Sequence, residues 1–214
     1  MMTIRTFQCN MLQENTYILH DDSLQAVIID CGAFFPEEYK ALAKYLNDNG
    51  LTPVHLLCTH GHLDHCFGIH RMYEDYGLKP EVHTADAFLV SDLEGQARDL
   101  FGIDIPKGDT PMGQLLSDND IITFGSHRLQ VIHTPGHSPG GVVFYCQEES
   151  VAFSGDTLFR MSVGRSDLPG GSWPQLMKSL LHIMSLLPDD TRICPGHGPQ
   201  TTIADEKRMN PYMR

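Results

Sequence analysis

The chain lacks long apolar runs and carries little positive charge. No apolar stretch approaches the roughly 20 residues that a membrane-spanning helix requires, and residues 1–10 contain no apolar core of the signal-peptide kind. Only 15 lysine and arginine residues stand against 27 aspartate and glutamate residues, so the formal net charge is -12. A surface this acidic repels phosphate backbones. We therefore expect no nucleic-acid partner, no membrane partner and a cytoplasmic location.

The cysteines show no spacing typical of a disulfide scaffold, so we predict that they are reduced and mostly buried. There are six of them: Cys9, Cys31, Cys58, Cys66, Cys146 and Cys194. Apolar residues make up 41% of the 214 residues, which is enough for a packed core in one large domain or two small ones.

Strand-like and helix-like patterns alternate in both halves of the chain. In the first half we predict strands at 16–19, 26–29 and 54–58, and a helix at about 36–49 that begins near Pro36. In the second half we predict strands at 128–132, 142–145, 151–153 and 191–194. A long helix is predicted at 173–187, with Ser172 as its N-cap and an apolar stripe formed by Trp173, Leu176, Met177, Leu180, Leu181, Met184 and Leu187. The repetition is compatible with two packed sheets and helices outside.

The segment after the strand at 54–58 places three imidazoles and a carboxylate within six residues, in the order His60-Gly61-His62-Leu63-Asp64-His65. Such groups are costly to bury without partners, and a divalent cation satisfies them together. In an extended stretch His60 and His62 point the same way and can share one metal, while Asp64 and His65 are free to serve a second.

Later strand ends offer the ligands that these two incomplete groups need. His137 lies in Thr-Pro-Gly-His, Asp156 in Ser-Gly-Asp-Thr and His197 in Gly-His-Gly. The alternative for each alone is a surface or turn residue, and the conjunction favours metal binding.

These motifs make the chain resemble the metallo-β-lactamase-fold hydrolases. The resemblance rests on residues 59–65, on 134–141 (Thr-Pro-Gly-His-Ser-Pro-Gly-Gly), on 154–159 (Ser-Gly-Asp-Thr-Leu-Phe) and on 195–198 (Pro-Gly-His-Gly). It implies an α/β (α+β) fold, the αββα sandwich, with two mixed β-sheets packed face to face and helices outside. It also implies two divalent metal ions, with zinc as the expected metal and iron and manganese as alternatives. One metal would be held by His60, His62 and His137, the other by Asp64, His65 and His197, and Asp156 would bridge them.

Within that family the chain is most similar to glyoxalase II-like proteins, the hydroxyacylglutathione hydrolases. The runs 154–159 and 163–167 (Val-Gly-Arg-Ser-Asp) match the short bacterial type, which implies a single domain over 1–214. Asp156 argues against β-lactamase activity, and His62 argues against a flavodiiron module, because those branches carry other residues there.

The resemblance implies a binuclear metal-dependent hydrolase in which a metal-bridging hydroxide attacks the thioester of S-lactoylglutathione or of a related acyl thioester, anionic thioesters included. We expect Asp64 to accept a proton as the intermediate collapses, and Arg160 or Arg165 to meet a substrate carboxylate. Asp30 matches a site-supporting aspartate of the family, with a simple turn residue as the alternative. The oligomeric state is not predicted.

Other functions remain open at the level of sequence. A persulfide dioxygenase would share the fold and a similar Gly-Arg-x-Asp stretch but hold one iron. A lactonase or a phosphodiesterase could use the same ligands, because a metal-activated hydroxide attacks many electrophiles. A non-catalytic metal-binding module is the alternative from a different class, and a site closed entirely by protein ligands would favour it.

Overall fold

The computed structural model describes residues 1–106 and 108–213, and within them the strands form two six-stranded sheets and a small two-stranded one. In the first sheet, spatial order follows chain order, with β1 to β3 antiparallel and β3 to β6 parallel. Its strands are β1 (Thr3–Cys9), β2 (Glu14–His20), β3 (Gln25–Ile29), β4 (Thr52–Leu57), β5 (Pro80–His83) and β6 (Leu115–Leu116).

The second sheet comes from the second half of the chain. Its strands are β7 (Ile121–Phe124), β8 (His127–His133), β9 (Val142–Cys146), β10 (Val151–Gly155), β13 (Arg192–Pro195) and β14 (Thr201–Thr202), and β11 (Leu158–Phe159) pairs separately with β12 (Ser162–Val163). The spatial order is β14-β13-β10-β9-β8-β7. Because β8 and β10 are each antiparallel to β9, and β13 is parallel to β10, strands β8, β10 and β13 run in one direction.

Helices cover the outer faces and fill the connections. They are α1 (Pro36–Asp48), α2 (Ile69–Tyr76), α3 (Ala87–Val90), α4 (Leu93–Gln96), α5 (Trp173–Leu186) and α6 (Ile203–Met209). A π-helix spans Ala97–Phe101, and 3₁₀ turns span Leu63–His65, Thr84–Asp86 and Pro211–Met213.

The strands alternate between two apolar layers because successive side chains point to opposite faces. Along β2, Tyr17 and Leu19 pack between the two sheets, whereas Ile18 packs under α1 and α2 with Leu42. A third cluster lies between the second sheet and α5. Burial on both faces explains the nearly continuous apolar runs that mark these strands in the sequence.

The predicted αββα sandwich is confirmed, and the predicted strands and the helix at 36–49 agree with the structure to within a few residues. The apolar stripe of the long helix was partly wrong. Trp173 is 44% exposed and Leu181 is 62% exposed, while Ile183, which the stripe omitted, is buried. Trp173 is the first residue of α5, and Leu181 lies outside the face that Leu176, Leu180 and Ile183 bury.

All six cysteines are buried free thiols, as predicted. Among the helices of the described residues, none is both long and apolar enough to cross a membrane.

Candidate metal centre

Histidine and aspartate side chains converge where strands from both sheets end. Strand β4 leads into residues 59–65, and strands β8, β10 and β13 lead to His137, Asp156 and His197. Since these strands end at one edge of the sandwich, the loops that follow them meet there. The structure gathers all seven residues whose spacing predicted metal binding: His60, His62, Asp64, His65, His137, Asp156 and His197.

His60, His62 and His137 form one compact group. The His137 Nε2 atom lies 2.9 Å from His62 Nδ1 and 3.2 Å from His60 Nε2. Burial, followed by the neighbouring histidines, holds the pKa of His60 well below its usual range and lowers the pKa of His62 to about 4. Both rings are therefore neutral at pH 7, and neutral imidazole is the form that binds metal.

Asp64, His65 and His197 form a second group beside the first. The His197 Nε2 atom lies 3.2 Å from Asp64 Oδ2, and His65 Nε2 lies 3.6 Å from the same oxygen. Burial alone would lower the pKa of both histidines, but the facing carboxylates Asp64 and Asp156 outweigh it, so both pKa values are raised. A cation bound here would displace protons from these rings.

Asp156 lies between the two groups. Its Oδ1 atom is 3.3 Å from His65 Nε2, while its Oδ2 atom is 3.6 Å from His137 Nε2 and 3.7 Å from His197 Nε2. Burial would raise the pKa of this carboxyl group, but the positive charge of the neighbouring His65 outweighs burial and holds the pKa below its usual range. A carboxylate that lies within reach of both groups is suited to act as a bridging ligand.

Carbonyl oxygens hold two of the rings from behind. His137 Nδ1 donates to the Arg165 carbonyl at 2.7 Å, and His197 Nδ1 donates to the Leu12 carbonyl at 3.0 Å. Each bond leaves the Nε2 lone pair directed into the centre, as is common for histidines that ligate metals.

Asp30 orients two further rings. Its Oδ2 atom accepts from His65 Nδ1 at 2.9 Å and from the Thr59 hydroxyl at 2.8 Å, and its Oδ1 atom accepts from the Thr59 amide at 2.7 Å. Because the single hydroxyl proton of Thr59 goes to Asp30, Thr59 Oγ1 accepts from His60 Nδ1 at 3.0 Å. The Nε2 lone pair of His60 therefore also points inward.

The donor set fits a cation. In these tautomers the Nε2 lone pairs of His60 and His137 face each other at 3.2 Å, an arrangement that a cation bound to both nitrogens would satisfy. Among the described residues, His65 Nε2 and Asp156 Oδ1 are fully buried with no hydrogen-bond partner. Nitrogen and carboxylate oxygen donors suit zinc, iron and manganese.

Gly196 makes room for the second group. A Cβ atom at this position would overlap Asp156 Oδ1 and would lie 2.6 Å from His65 Cε1. Only glycine lets the backbone after β13 pass this close to two of the converging side chains.

Sequence reasoning missed Asp86, which ties the two histidine-bearing loops together. This fully buried carboxylate accepts from the Gly61 amide at 3.0 Å, from the Ser138 hydroxyl at 2.6 Å and from the Gly140 amide at 2.5 Å. It thereby sets the separation of His60 and His62 from His137. An isolated aspartate after a short strand carries no spacing signal that reveals this role.

Gln96 and Glu14 were also missed. Gln96, at the end of α4, accepts from the Leu63 amide at 3.0 Å and donates to the Gly61 carbonyl at 3.0 Å, so it braces the loop that carries the first histidines. Glu14 is fully buried 3.9 Å from His65 Nδ1, and burial is the main cause that raises its pKa well above its usual range.

The two arginines of the sequence analysis lie at the margin of the centre. The Arg165 guanidinium forms a two-fold hydrogen bond with Asp167 at 2.7 and 2.8 Å, and the arginine contacts the centre through its backbone carbonyl. Arg160 is exposed. Their role toward substrate stays a prediction.

The family model described as the metallo-beta-lactamase superfamily matches residues 10–197. Among curated proteins, the chain is 33% identical to hydroxyacylglutathione hydrolase GloC of Haemophilus influenzae, over 99% of this chain and 98% of that protein. It is 32% identical to the probable metallo-hydrolase YqgX of Bacillus subtilis, over 99% of this chain and 98% of that protein.

Solved structures show the same similarity in three dimensions. The BLEG-1 B3 metallo-beta-lactamase is 35% identical with a TM-score of 0.90, and the match covers 99% of each chain. TTHA1623 in a di-iron-bound form is 40% identical with a TM-score of 0.86, covering 97% of this chain and 99% of that one. ETHE1 from Myxococcus xanthus is 26% identical with a TM-score of 0.78, and the match covers 98% of this chain and 83% of that one.

Proposed function

Since the chain belongs to the metallo-beta-lactamase superfamily and is a metal-dependent hydrolase of that fold, we propose that it hydrolyses acyl thioesters as a short glyoxalase II-like enzyme with two metal ions. The observation that carries this proposal is the position of Asp156, whose two oxygens face two separate groups of ligand-type side chains. The similarity to hydroxyacylglutathione hydrolase GloC supports the choice of a thioester bond.

Two bound divalent cations would lower the pKa of a shared water toward 7 and polarise a carbonyl oxygen, which supplies a nucleophile without a separate base. The chain's own residues orient this chemistry. Asp30, Thr59 and the Arg165 and Leu12 carbonyls fix the rings, so little reorganisation is needed when a substrate arrives.

Asp64 is the residue proposed to move a proton. Its Oδ2 atom lies 3.2 Å from His197 Nε2 in a nearly buried position. Burial would raise the pKa of Asp64, but His65 and His197 outweigh it and keep the carboxyl group ionised. An ionised carboxylate beside the reacting atoms accepts a proton as the tetrahedral intermediate collapses.

Arg165 is proposed to meet the charge of an anionic thiol carrier. We expect Arg165→Ala to raise KM for S-lactoylglutathione by about threefold, the scale of an exposed charge pair, and to leave KM for a neutral-carrier thioester unchanged. Steady-state kinetics on both substrates measure this. Equal changes in the two KM values would remove Arg165 from substrate binding.

The metal is proposed to be zinc, with iron as the main alternative because TTHA1623 was solved in a di-iron-bound form. Elemental analysis of protein purified without added metal decides between them. Two metal equivalents per chain are expected.

The first experiment is hydrolysis of S-lactoylglutathione by metal-loaded protein, with and without a strong chelator. Turnover that the chelator abolishes and added metal restores is the expected result. His62→Gln should lose turnover, and His182→Gln, which changes an exposed histidine on α5, is the matched control. Hydrolysis of a β-lactam in place of the thioester by metal-loaded protein would overturn the proposal.

A persulfide dioxygenase with a single iron is the second candidate, and the similarity to ETHE1 favours it. The complete second group of Asp64, His65 and His197 argues for two metals instead. One iron per chain, together with oxygen uptake on glutathione persulfide, would replace the thioesterase proposal.

A further inference from the structure

A cleft of about 200 Å³ opens directly beside the metal-ligand candidate His62. Its apolar walls come from Phe88 and Leu89 on α3, Leu100 on the π-helix, and Leu168 and Pro169 on the facing loop. The volume is below the range typical of a site that takes a whole drug-sized ligand, so it suits one portion of a substrate.

The walls of the cleft are attached to the loop that carries His60 and His62. Gln96, which precedes the π-helix, bonds the backbone of Gly61 and Leu63. At the C-terminal end of the π-helix, Phe101 packs against Phe67 with ring centroids 5.8 Å apart. Leu100 is thereby held at a defined place relative to the candidate ligands.

Large apolar side chains remain exposed at the mouth of this cleft. Phe88 is 56% exposed and Leu100 is 46% exposed. Leaving such side chains in water forgoes the stabilisation that burial provides. Adjacent exposed apolar side chains that border a pocket are typical of a ligand-binding surface.

The charge of the cleft selects against anions. Besides His62, the ionisable side chains that line it are Asp92 and Asp99. Arg165 is not among the residues that line the cleft. Among the protein side chains of the lining, a carboxylate would face two aspartates and no lysine or arginine, and desolvating it there is costly.

We propose that this cleft binds an uncharged apolar group of the thioester substrate, carried on its acyl side or on its thiol side, and that it rejects a carboxylate at the same place. The inference rests on the proposed thioesterase function and specifies its substrate class. Phe88 and Leu100 are its specificity-determining residues, while the metal ligands determine the reaction.

The test compares thioesters of one neutral carrier, N-acetylcysteamine, with one thioester of hexanethiol. Hexanoyl and adipoyl thioesters differ by a carboxylate at the chain end, and acetyl-S-hexyl thioester moves the apolar chain to the thiol side. We expect kcat/KM for the preferred apolar arrangement to exceed that for the adipoyl thioester by about tenfold or more. Whichever apolar thioester is faster identifies the side of the substrate that enters the cleft.

Substitutions in the cleft test whether the cleft causes the preference for apolar thioesters. Leu100→Ala should lower kcat/KM for the preferred apolar thioester by about tenfold, and should lower it less for the acetyl-N-acetylcysteamine thioester, which has a shorter apolar portion to place in the cleft. Leu181→Ala, an exposed leucine on α5, is the matched control and should change neither. Asp99→Lys should raise kcat/KM for the adipoyl thioester, because it replaces a repulsive charge with an attractive one.

A binding measurement separates failure of this inference from failure of the proposed function. By calorimetry, S-hexyl-N-acetylcysteamine, a thioether that cannot be hydrolysed, should bind the metal-loaded wild type and lose affinity at least about tenfold in Leu100→Asp. Thioester turnover that favours the adipoyl substrate, or that responds equally to Leu100→Ala and Leu181→Ala, overturns the cleft assignment alone. Absence of all thioester turnover overturns the proposed function, and thioether binding then decides the cleft separately.

Discussion

At the scale of single residues, we assign different proposed roles to two chemically identical carboxylates, Asp64 and Asp156. Asp156 faces both ligand groups, whereas Asp64 faces His197 and His65 on one side of the centre. His65 and His197 lower the pKa of both carboxyl groups, so the difference between the two aspartates comes from their positions after different strands.

Replacing Asp64 tests its proposed role. Asp64→Asn keeps the side-chain shape but removes the proton acceptor, so we expect kcat on S-lactoylglutathione to fall by about a hundredfold or more. Metal content measured on the same sample separates this effect from loss of metal. Asp22→Asn, at an exposed position, is the control, and near-normal turnover of Asp64→Asn would contradict the assignment.

At the scale of elements, the loops after β4 and β8 depend on Asp86 for their relative position. We expect Asp86→Ala to weaken metal binding at the His60, His62 and His137 group by about 10- to 100-fold, the usual effect of removing a residue that supports ligands. Competition with a chelating dye measures this affinity.

Asp21→Ala is the matched control for Asp86. Asp21 is a buried carboxylate that accepts comparable bonds from Ser23, Ser126 and His127, in a network apart from the centre. Both variants should lower stability, but only Asp86→Ala should lower metal affinity. If Asp86→Ala and Asp21→Ala bind metal with equal affinity, Asp86 supports the fold and not the metal centre.

The paired strands β4 and β5 carry a pH-dependent contact. His55 Nδ1 lies 2.6 Å from Glu81 Oε1, and this hydrogen bond is the main cause that raises the pKa of His55 above 6.5. A raised pKa in the folded state means that the pair stabilises the fold fully below about pH 6.5 and loses this contribution as pH rises through the folded pKa.

Urea unfolding of wild type and His55→Gln from pH 5 to pH 9 measures that contribution. The difference in free energy of unfolding should be largest at pH 5 and should shrink toward pH 9. A difference that grows with pH would mean that the histidine is stabilised in its neutral form.

At the scale of the whole molecule, the candidate ligands join the two sheets. Residues 60–65 follow a strand of the first sheet, and His137, Asp156 and His197 follow strands of the second. A cation bound by both sets would therefore stabilise the sandwich against separation of its halves.

Metal removal should lower thermal stability. At a free metal concentration of 100 to 1,000 times Kd, binding contributes about 2.7–4 kcal/mol, which corresponds to a Tm decrease of roughly 5–15 °C on chelation. Calorimetry before and after chelation, and after metal is restored, measures this. An unchanged Tm in protein proven free of metal would contradict binding across the two sheets.

Local sequence was sufficient to place most strands and helices, whereas the αββα arrangement and the full division of the candidate ligands into two groups came from the resemblance to the family. Apolar runs reveal central strands such as β2, β9 and β10 because these are buried on both faces. The short spacing from His60 to His65 keeps several donors close together along the chain. The stripe of α5 was only partly predictable, since the exposure of Trp173 and Leu181 depends on where the helix lies on the sheet.

The supports of the centre and the chemistry of the cleft depend on contacts between distant parts of the chain. Asp86 reaches Ser138 across 52 positions, and the Leu12 carbonyl reaches His197 across 185. The sequence named Arg165 but did not reveal that its guanidinium pairs with Asp167. Such bonds depend on how loops meet after the sheets have packed, because a hydrogen bond requires a partner at about 3 Å whatever its distance along the chain.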